Sequence, residues 1–323
     1  MEYRRISKVN IEISVLGLGT WAFGGDAWWG PQKDVDSLSV LEKAINEGIN
    51  LIDTAPVYGK GHSEELIGKF LKKKRLRDKV IIATKLGLSW KNGRIYRDLS
   101  RKRMLEEIDE SRRRLQTDYI DIYQVHWPDP NTPIAETATV MYEFYKKGLI
   151  RAIGVSNYSV EQMQEFMKYS PLHTLQPPYN MFKRDIEKDI IPFCIKNKIS
   201  IISYIPLHSG ILTGKFFFKN IKIPSDLCRK NHPDLKEPLF SVNKEILEKL
   251  NNLALKYNKT LTQLVLNWTY KREGITSILV GARNLDQLTE NLGAVGWSLE
   301  PSDYKEIEKI LQERIEKIKA LNL

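Results

Sequence analysis

Short β-branched runs alternate with amphipathic stretches along nearly the whole chain. The runs that read as strands are Val15–Gly19, Asn50–Thr54, Val80–Lys85, Ile120–His126, Arg151–Ser156, Thr174–Gln176, Ile199–Tyr204 and Ser277–Val280. Helical spacing of apolar positions marks Asp34–Glu47, Glu64–Lys73, Arg101–Leu115, Ile134–Lys147, Val160–Lys168, Asp185–Lys196, Leu261–Arg272 and Leu285–Leu292. Several strands are almost wholly apolar (VIIAT, IISYI), as parallel strands covered on both faces must be. Gly48, Gly148 and Gly274 each follow a helix, where a left-handed cap is expected. Eight β/α alternations predict a parallel sheet, and eight is the number that closes into a (β/α)8 barrel. A doubly wound sheet would carry a G-x-G-x-x-G turn after its first strand, and GLGTWAFGG lacks that spacing.

Two segments stand outside the repeat. Tyr3–Ile13 reads as an N-terminal β-hairpin closing the barrel floor. From Tyr204 to Ser277 is a step of 73 residues, more than the other units use. The excess includes Gly210–Phe240, rich in Lys, Pro and Phe, and an extra helix near Asn243–Tyr257. An enlarged connection after strand seven is usually functional or disordered, and Gly210–Phe240 is the candidate lid. With no other linker, residues 1–323 are expected to form one domain.

Composition narrows the class. With 42% hydrophobic and 28% charged residues, the chain can bury a large core. No apolar stretch approaches the roughly 18 residues of a membrane span, and the start lacks an apolar signal region. Cys194 and Cys228 cannot build a disulfide framework, so a cytoplasmic protein is expected. Fifty Lys and Arg against 40 Asp and Glu give a formal charge of +10. The basic runs Lys72–Arg77, Arg101–Arg103 and Arg112–Arg114 lie on or beside helices with acids nearby. They read as solvated helix faces, so no nucleic-acid partner is expected.

In a parallel barrel, reactive groups sit where strands end. Those positions offer Asp53 and Tyr58, Lys85 and His126, from three consecutive strands. A tyrosine is a weak acid at neutral pH, but a neighbouring ammonium stabilises its phenolate, and a carboxylate keeps that ammonium charged. A histidine alongside can hold a carbonyl oxygen in line for protonation. Taken singly, a buried Lys–Asp pair is most often structural and His126 a core residue; the four together form a proton-delivery site suited to carbonyl reduction, lacking only a hydride source. Metal hydrolysis would want several ligands, and the other four of five histidines show no ligand pattern around His126. No metal is expected. A retaining glycosidase needs two strand-end carboxylates, and only Asp53 qualifies.

The segments INLIDTAPVYGKGHSEELIGK, VIIATKLG, YIDIYQVHWPD, IRAIGVSNY, SYIPLHSGILTGKF and ILVGARNLDQLTENL occur in this order. On them the chain resembles the aldo-keto reductase superfamily, most of all its bacterial general-stress, NADPH-dependent branch. The resemblance implies a TIM barrel that reversibly reduces aldehydes or ketones, with a small-molecule carbonyl as substrate. It makes Tyr58 the general acid, has Lys85 and Asp53 tune it, and has His126 orient the carbonyl. It implies NADP(H) held across the mouth, by Asp53, by Thr20 and Trp21 at the strand-one edge, by Ser156, Asn157 and Gln176 on the carboxamide, and by Tyr204 stacked on nicotinamide. Pro206, Leu207, His208, Ser209 and Gly210 would line the pyrophosphate channel, with Lys215 nearby; His208 departs from the small residue many relatives carry. Gly281, Ala282 and Arg283 lead into the last helix of the repeat, where Gln287 and Asn291 are expected to face adenine. A guanidinium at Arg283 can fork onto a 2′-phosphate, which favours NADP over NAD. Trp28, Trp29, Trp90 and Trp127 fall in or near mouth loops, as an apolar substrate wall or as loop packing. An alternative within the resemblance is an NADP-binding redox sensor similar to potassium-channel β subunits.

Overall fold

In the computed structural model, which describes residues 1–91, 94–219 and 221–321, eight parallel strands close on themselves. In barrel order they are β3 (Leu16–Gly19), β4 (Leu51–Asp53), β5 (Ile81–Leu86), β8 (Ile120–Val125), β9 (Ile150–Ser156), β10 (Thr174–Gln176), β11 (Ser200–Tyr204) and β12 (Ile275–Val280). The eight expected strands are these eight, with ends displaced by a residue or two. The expected hairpin is β1 (Tyr3–Arg5) with β2 (Glu12–Ser14), paired antiparallel. Ile6, Ile11 and Ile13 from this hairpin pack among Leu51, Ala83, Ile122, Ala152, Ile202 and Leu279. The barrel is therefore plugged from below by an apolar layer.

The expected helices are α1 (Asp34–Asn46), α2 (His62–Lys74), α3 (Arg101–Leu115), α4 (Ile134–Lys146), α5 (Val160–Met167), α6 (Ile190–Asn197), α9 (Leu261–Tyr270) and α10 (Leu285–Leu292). Asp185–Lys196 is not one helix: a 3-10 turn at Asp185–Glu187 precedes α6, which starts where Asp189 caps the N–H of Ile190. Gly48, Gly148 and Gly274 all have positive φ.

Two elements outside the repeat escaped the sequence pattern. β6 (Leu88–Lys91) and β7 (Arg94–Arg97) form a small hairpin beside the mouth, its outer strand wholly exposed. α11 (Pro301–Ala320) is a 20-residue C-terminal helix packed against α8 (Leu239–Lys256). The extra helix expected near Asn243–Tyr257 is α8, beginning four residues earlier. Within Gly210–Phe240 the described residues include α7 (Lys215–Phe218) and a 3-10 turn at Pro233–Leu235. The segment docks on the loop after β3, where Leu227 and Cys228 N–H groups donate to the carbonyls of Ala27 and Trp28 at 3.1 and 3.2 Å. Cys194 and Cys228 are both free thiols.

Candidate active site

The interior of the barrel changes character over one strand repeat. Two residues beyond the apolar layer, side chains of the same strands point inward again: Asp53 follows Leu51, Lys85 follows Ala83, Gln124 follows Ile122, and Tyr204 follows Ile202. This upper layer is polar and charged, and it opens at the C-terminal ends of the strands.

Lys85 is its centre. Its Nζ donates to Asp53 Oδ1 at 2.6 Å, to the Thr54 carbonyl at 2.9 Å and to the Tyr58 hydroxyl at 3.2 Å. Asp53 and Lys85 are 3% and 1% exposed, so this ion pair works in a low-dielectric surround. The second oxygen of Asp53 accepts Gln176 Nε2 at 2.8 Å and Gln124 Nε2 at 3.5 Å. The two glutamines also meet, Gln176 Nε2 donating to Gln124 Oε1 at 3.4 Å. Gln124 was missed in the sequence, although it precedes His126 by one strand repeat on the inward face. Gly154 gives it room, since a Cβ there would sit 2.7 Å from Gln124 Cγ.

Burial drives the electrostatics. It pushes the Tyr58 phenol up; the Lys85 ammonium pulls the other way, and the net result lies above the ordinary value of 10.0. The lowered phenol expected from the lysine alone is thus overridden by desolvation. For Lys85, burial opposes the charge, but Asp53 and then Tyr58 outweigh it and hold the ammonium above its usual range. His126 is held well below its ordinary value, by burial first and by Lys85 second, so its imidazole is neutral at pH 7. Its ring meets that of Tyr58 edge-on, with centroids 6.2 Å apart.

A hydrogen-bonded rim continues from His126 around the mouth. Asn157, at φ +61°, donates to the His126 carbonyl at 3.1 Å and to Ser156 Oγ at 2.9 Å. Ser156 Oγ donates to the Gln176 carbonyl, and Tyr204 OH donates to Asn157 Oδ1 at 2.9 Å. Ser156, Asn157, Gln176 and Tyr204 are therefore brought together as one linked set. Thr20 turns inward instead; its hydroxyl, wholly buried, donates to the Asp53 carbonyl at 2.8 Å. Trp21 stacks on Tyr58 at 5.7 Å and gathers Trp28 and Trp29 within 5.8 Å. Trp127 lies exposed under Arg97, and Trp90 sits on β6; among the described residues neither ring pairs with that aromatic group.

After β11 the backbone adopts positive φ at Ile205, His208, Ser209 and Gly210. A β-branched residue in this region is strained, so the turn must be held from outside. Asn180 Nδ2 does so by donating to the Ile205 carbonyl at 3.0 Å. His208 turns away to Asp234 at 2.7 Å, beside Pro206 and Leu207 of the same turn. The donor atoms of His208, His232 and Asp234 lie within 4.8 Å of one another. Those of Asp234 are committed: one oxygen takes Arg314 at 2.7 Å and Asn243 at 3.0 Å, the other takes His208.

Positive charge collects on the other side of the turn. Lys215 lies beside Gly210, and its ammonium is lowered by burial, then by Arg229 and Arg283. Arg283 is lowered likewise, by burial and then Arg229. Arg229, also missed in the sequence, is paired with Asp226 and lies over the Trp29 ring. Arg283 clasps the loop after β3: Nε donates to Gln32 at 2.9 Å and NH1 to the Trp29 carbonyl at 3.1 Å. Gln287 Oε1 accepts the Arg283 N–H, Asn291 donates to the Gly281 carbonyl, and Ala282 is buried against Leu18 and Leu288. Lys215 and Arg283, each lowered by burial and then by Arg229, fit a phosphate-bearing cofactor.

Comparison with known proteins agrees with this geometry. Residues 15–312 match the aldo/keto reductase family. Aldo-keto reductase YhdN of Bacillus subtilis is 45% identical over 98% of this chain and 95% of its own. The NADH-specific methylglyoxal reductase of Escherichia coli is 35% identical over 92% and 94%. The solved glycerol dehydrogenase AKR11B4 of Gluconobacter oxydans superposes with a TM-score of 0.89 at 39% identity, covering 97% of this chain and 96% of that one. Among the described residues, no helix is long and apolar enough to cross a membrane. With the family match and these relatives over nearly the whole chain, this protein belongs to the aldo/keto reductase family: it is an oxidoreductase of carbonyl and alcohol groups that works with a nicotinamide cofactor.

Proposed function

We propose that the enzyme reduces small aldehydes or ketones to alcohols, reversibly and with NADPH preferred, and that Tyr58 is the proton donor. The observation that carries this reading is the Lys85 ammonium seated between the Asp53 carboxylate and the Tyr58 hydroxyl. A bound nicotinamide dinucleotide supplies the hydride. The chain's own residues handle the oxygen and its proton. Tyr58 OH and the neutral imidazole of His126 face the mouth together and can both donate to a carbonyl oxygen. As negative charge develops on that oxygen, the Tyr58 proton moves to it. The phenolate left behind lies 3.2 Å from Lys85 Nζ, whose charge Asp53 maintains. Trp21, Trp28 and Trp29 exclude water from the Tyr58 side and form an apolar wall for the substrate.

Ser156, Asn157, Gln176 and Tyr204 are the side chains available to hold the nicotinamide end. Lys215 lies nearest for the phosphates; Arg283, whose guanidinium holds Gln32, Trp29 and Pro31 of the loop after β3, would turn from that loop to take a 2′-phosphate, and its guanidinium is the argument for NADPH. The E. coli relative is named as NADH-specific, so the preference needs its own measurement. Tyr58→Phe should abolish NADPH oxidation with an aldehyde panel while dinucleotide binding, read by fluorescence, stays within twofold. Unimpaired reduction by that variant would refute the assignment. Arg283→Leu should raise the KM for NADPH far more than that for NADH; equal effects would remove the argument for NADPH.

A further inference from the structure

The +10 charge is not absorbed by the active site, and its distribution is uneven. Some cations are held by carboxylate partners, as Lys249, Lys317 and Arg184 are. The opposite end of the barrel is different. There a groove of about 450 Å³ runs between the N-terminal hairpin and the loops entering β11 and β12. Arg4, Arg5, Lys198, Lys271 and Arg272 line it, against one acidic side chain, Glu273.

Only Arg272 of these five is compensated, by Glu187 and Glu308. The other contacts are with neutral groups. Arg4 NH1 donates to the Tyr270 carbonyl at 2.8 Å, Arg5 to Asn10, and Lys271 Nζ to Ser298 Oγ at 2.6 Å. Among the described residues, none of Arg4, Arg5, Lys198 or Lys271 lies within ion-pair distance of a carboxylate. The field reaches further inward. Lys8 is lowered by burial and then by Lys198, and His173 is lowered to about 4 by burial and then by Lys8. Folding has placed these charges together with Glu273 as the one acid lining the groove, although like charges at this range repel.

A second basic groove makes the contrast. It is lined by Lys72, Arg112 and Arg113, at the C-terminal ends of α2 and α3. Asp109 and Asp118 line it as well, and Arg112 pairs with Asp109. Two acids stand among three cations there, against one acid among five in the floor groove.

We propose that the floor groove binds a compact anion of three or more negative charges, a polyphosphate or polycarboxylate. Arg4 is pre-positioned for it, its NH1 fixed on the Tyr270 and Ile275 carbonyls, and Arg5, Lys198 and Lys271 supply further donors around the groove. The site lies at the end of the barrel away from the catalytic mouth, so its occupancy is independent of cofactor. It stabilises the fold by binding the native state alone.

The test uses the enzyme saturated with NADP, so that the mouth does not take up the probe. Tripolyphosphate and citrate are titrated separately by calorimetry at 50 mM NaCl, and melting temperature is followed in parallel. Saturable 1:1 binding of either probe is expected, the tighter one identifying the anion chemistry. Arg5→Glu with Lys198→Glu should weaken it at least about tenfold by replacing attraction with repulsion, with kcat within twofold. Lys72→Glu with Arg113→Glu should leave it within twofold. Three results would overturn the proposal: no saturable binding of either probe, unchanged affinity in the floor variant, or equal weakening in the Lys72 and Arg113 variant.

Discussion

Replacing Lys85 by methionine separates the two roles that its ammonium combines. The side chain is 1% exposed and makes three hydrogen bonds, one to a carboxylate that is itself 3% exposed. Methionine matches its length and keeps the packing, but it leaves Asp53 as a buried charge held only by the two glutamine amides. Breaking a buried pair from one side costs about 3–5 kcal/mol. For a chain of this size, with unfolding entropy of about 2 cal/mol/K per residue, that lowers the melting temperature by about 4–7 °C. The phenol of Tyr58 loses the only cation that offsets its burial, so its proton becomes harder to give up. Losing general acid catalysis lowers kcat by about 10²–10⁴-fold. The discriminating variant is the double change Lys85→Met with Asp53→Asn. It removes the uncompensated carboxylate, so most of the melting temperature should return while kcat stays low. Calorimetry and steady-state NADPH oxidation read the two effects separately. A double variant no more stable than Lys85→Met alone refutes the buried-charge account. A single variant with kcat within threefold of the parent refutes the role in proton delivery.

Because the Tyr58 phenol lies above its ordinary value of 10.0, kcat/KM for reduction should stay flat from pH 6 to 9 and fall only above about pH 10. A fall centred near pH 7 would implicate another acid. Glu107 is buried with its carboxyl pushed up to about 8, by burial above all. The unfolded chain ionises it near 4.5, so the fold loses stability as pH rises from about 4.5 to 8. Glu107→Gln should abolish that loss and become the more stable form at pH 8, as urea midpoints would report. Asp234 is depressed well below the usual carboxylate range: burial opposes this, and His208, Asn243 and Arg314 prevail. Its contribution is complete above about pH 4 and lost as pH falls, so Asp234→Asn should flatten the acid limb of the stability profile; an unchanged limb would count against the network. At Gly154 a Cβ would lie 2.3 Å from Thr174 Oγ1 and 2.7 Å from Gln124 Cγ. Gly154→Ala should therefore displace Gln124 from beneath Asp53 and lower kcat more than it lowers the melting temperature, a ratio that reverses if Gln124 is merely core.

The parts of this molecule legible in its sequence are those where one residue type implies one environment. Largely apolar, β-branched runs such as Val80–Thr84 fit strands covered on both faces, and their regular alternation with helices lets the barrel be counted from the sequence. Ionisable residues at strand ends, Asp53, Lys85 and His126, are legible only as a set: each alone reads as a structural pair or a core residue, and it is their convergence from three consecutive strands that points to chemistry. What stayed hidden depends on partners distant in sequence. Gln124 reads as one polar residue in an apolar strand until Asp53 is seen two strands away. Arg229 reads as a loop cation until the segment carrying it is found docked on Ala27 and Trp28. The hairpin β6–β7 is two four-residue strands, the outer one wholly exposed, so its alternation is too short to announce it, and α11 packs chiefly on α8, a partner distant in sequence. The Tyr58 phenol shows how far residue identity carries. Lysine beside tyrosine implies the direction of one effect, but burial is a property of the whole barrel, and here it is the larger. In the proposed reaction, a proton donor this deep is strong only when charge develops on the acceptor oxygen in front of it. That timing ties the acidity of Tyr58 to the reaction itself rather than to the resting site.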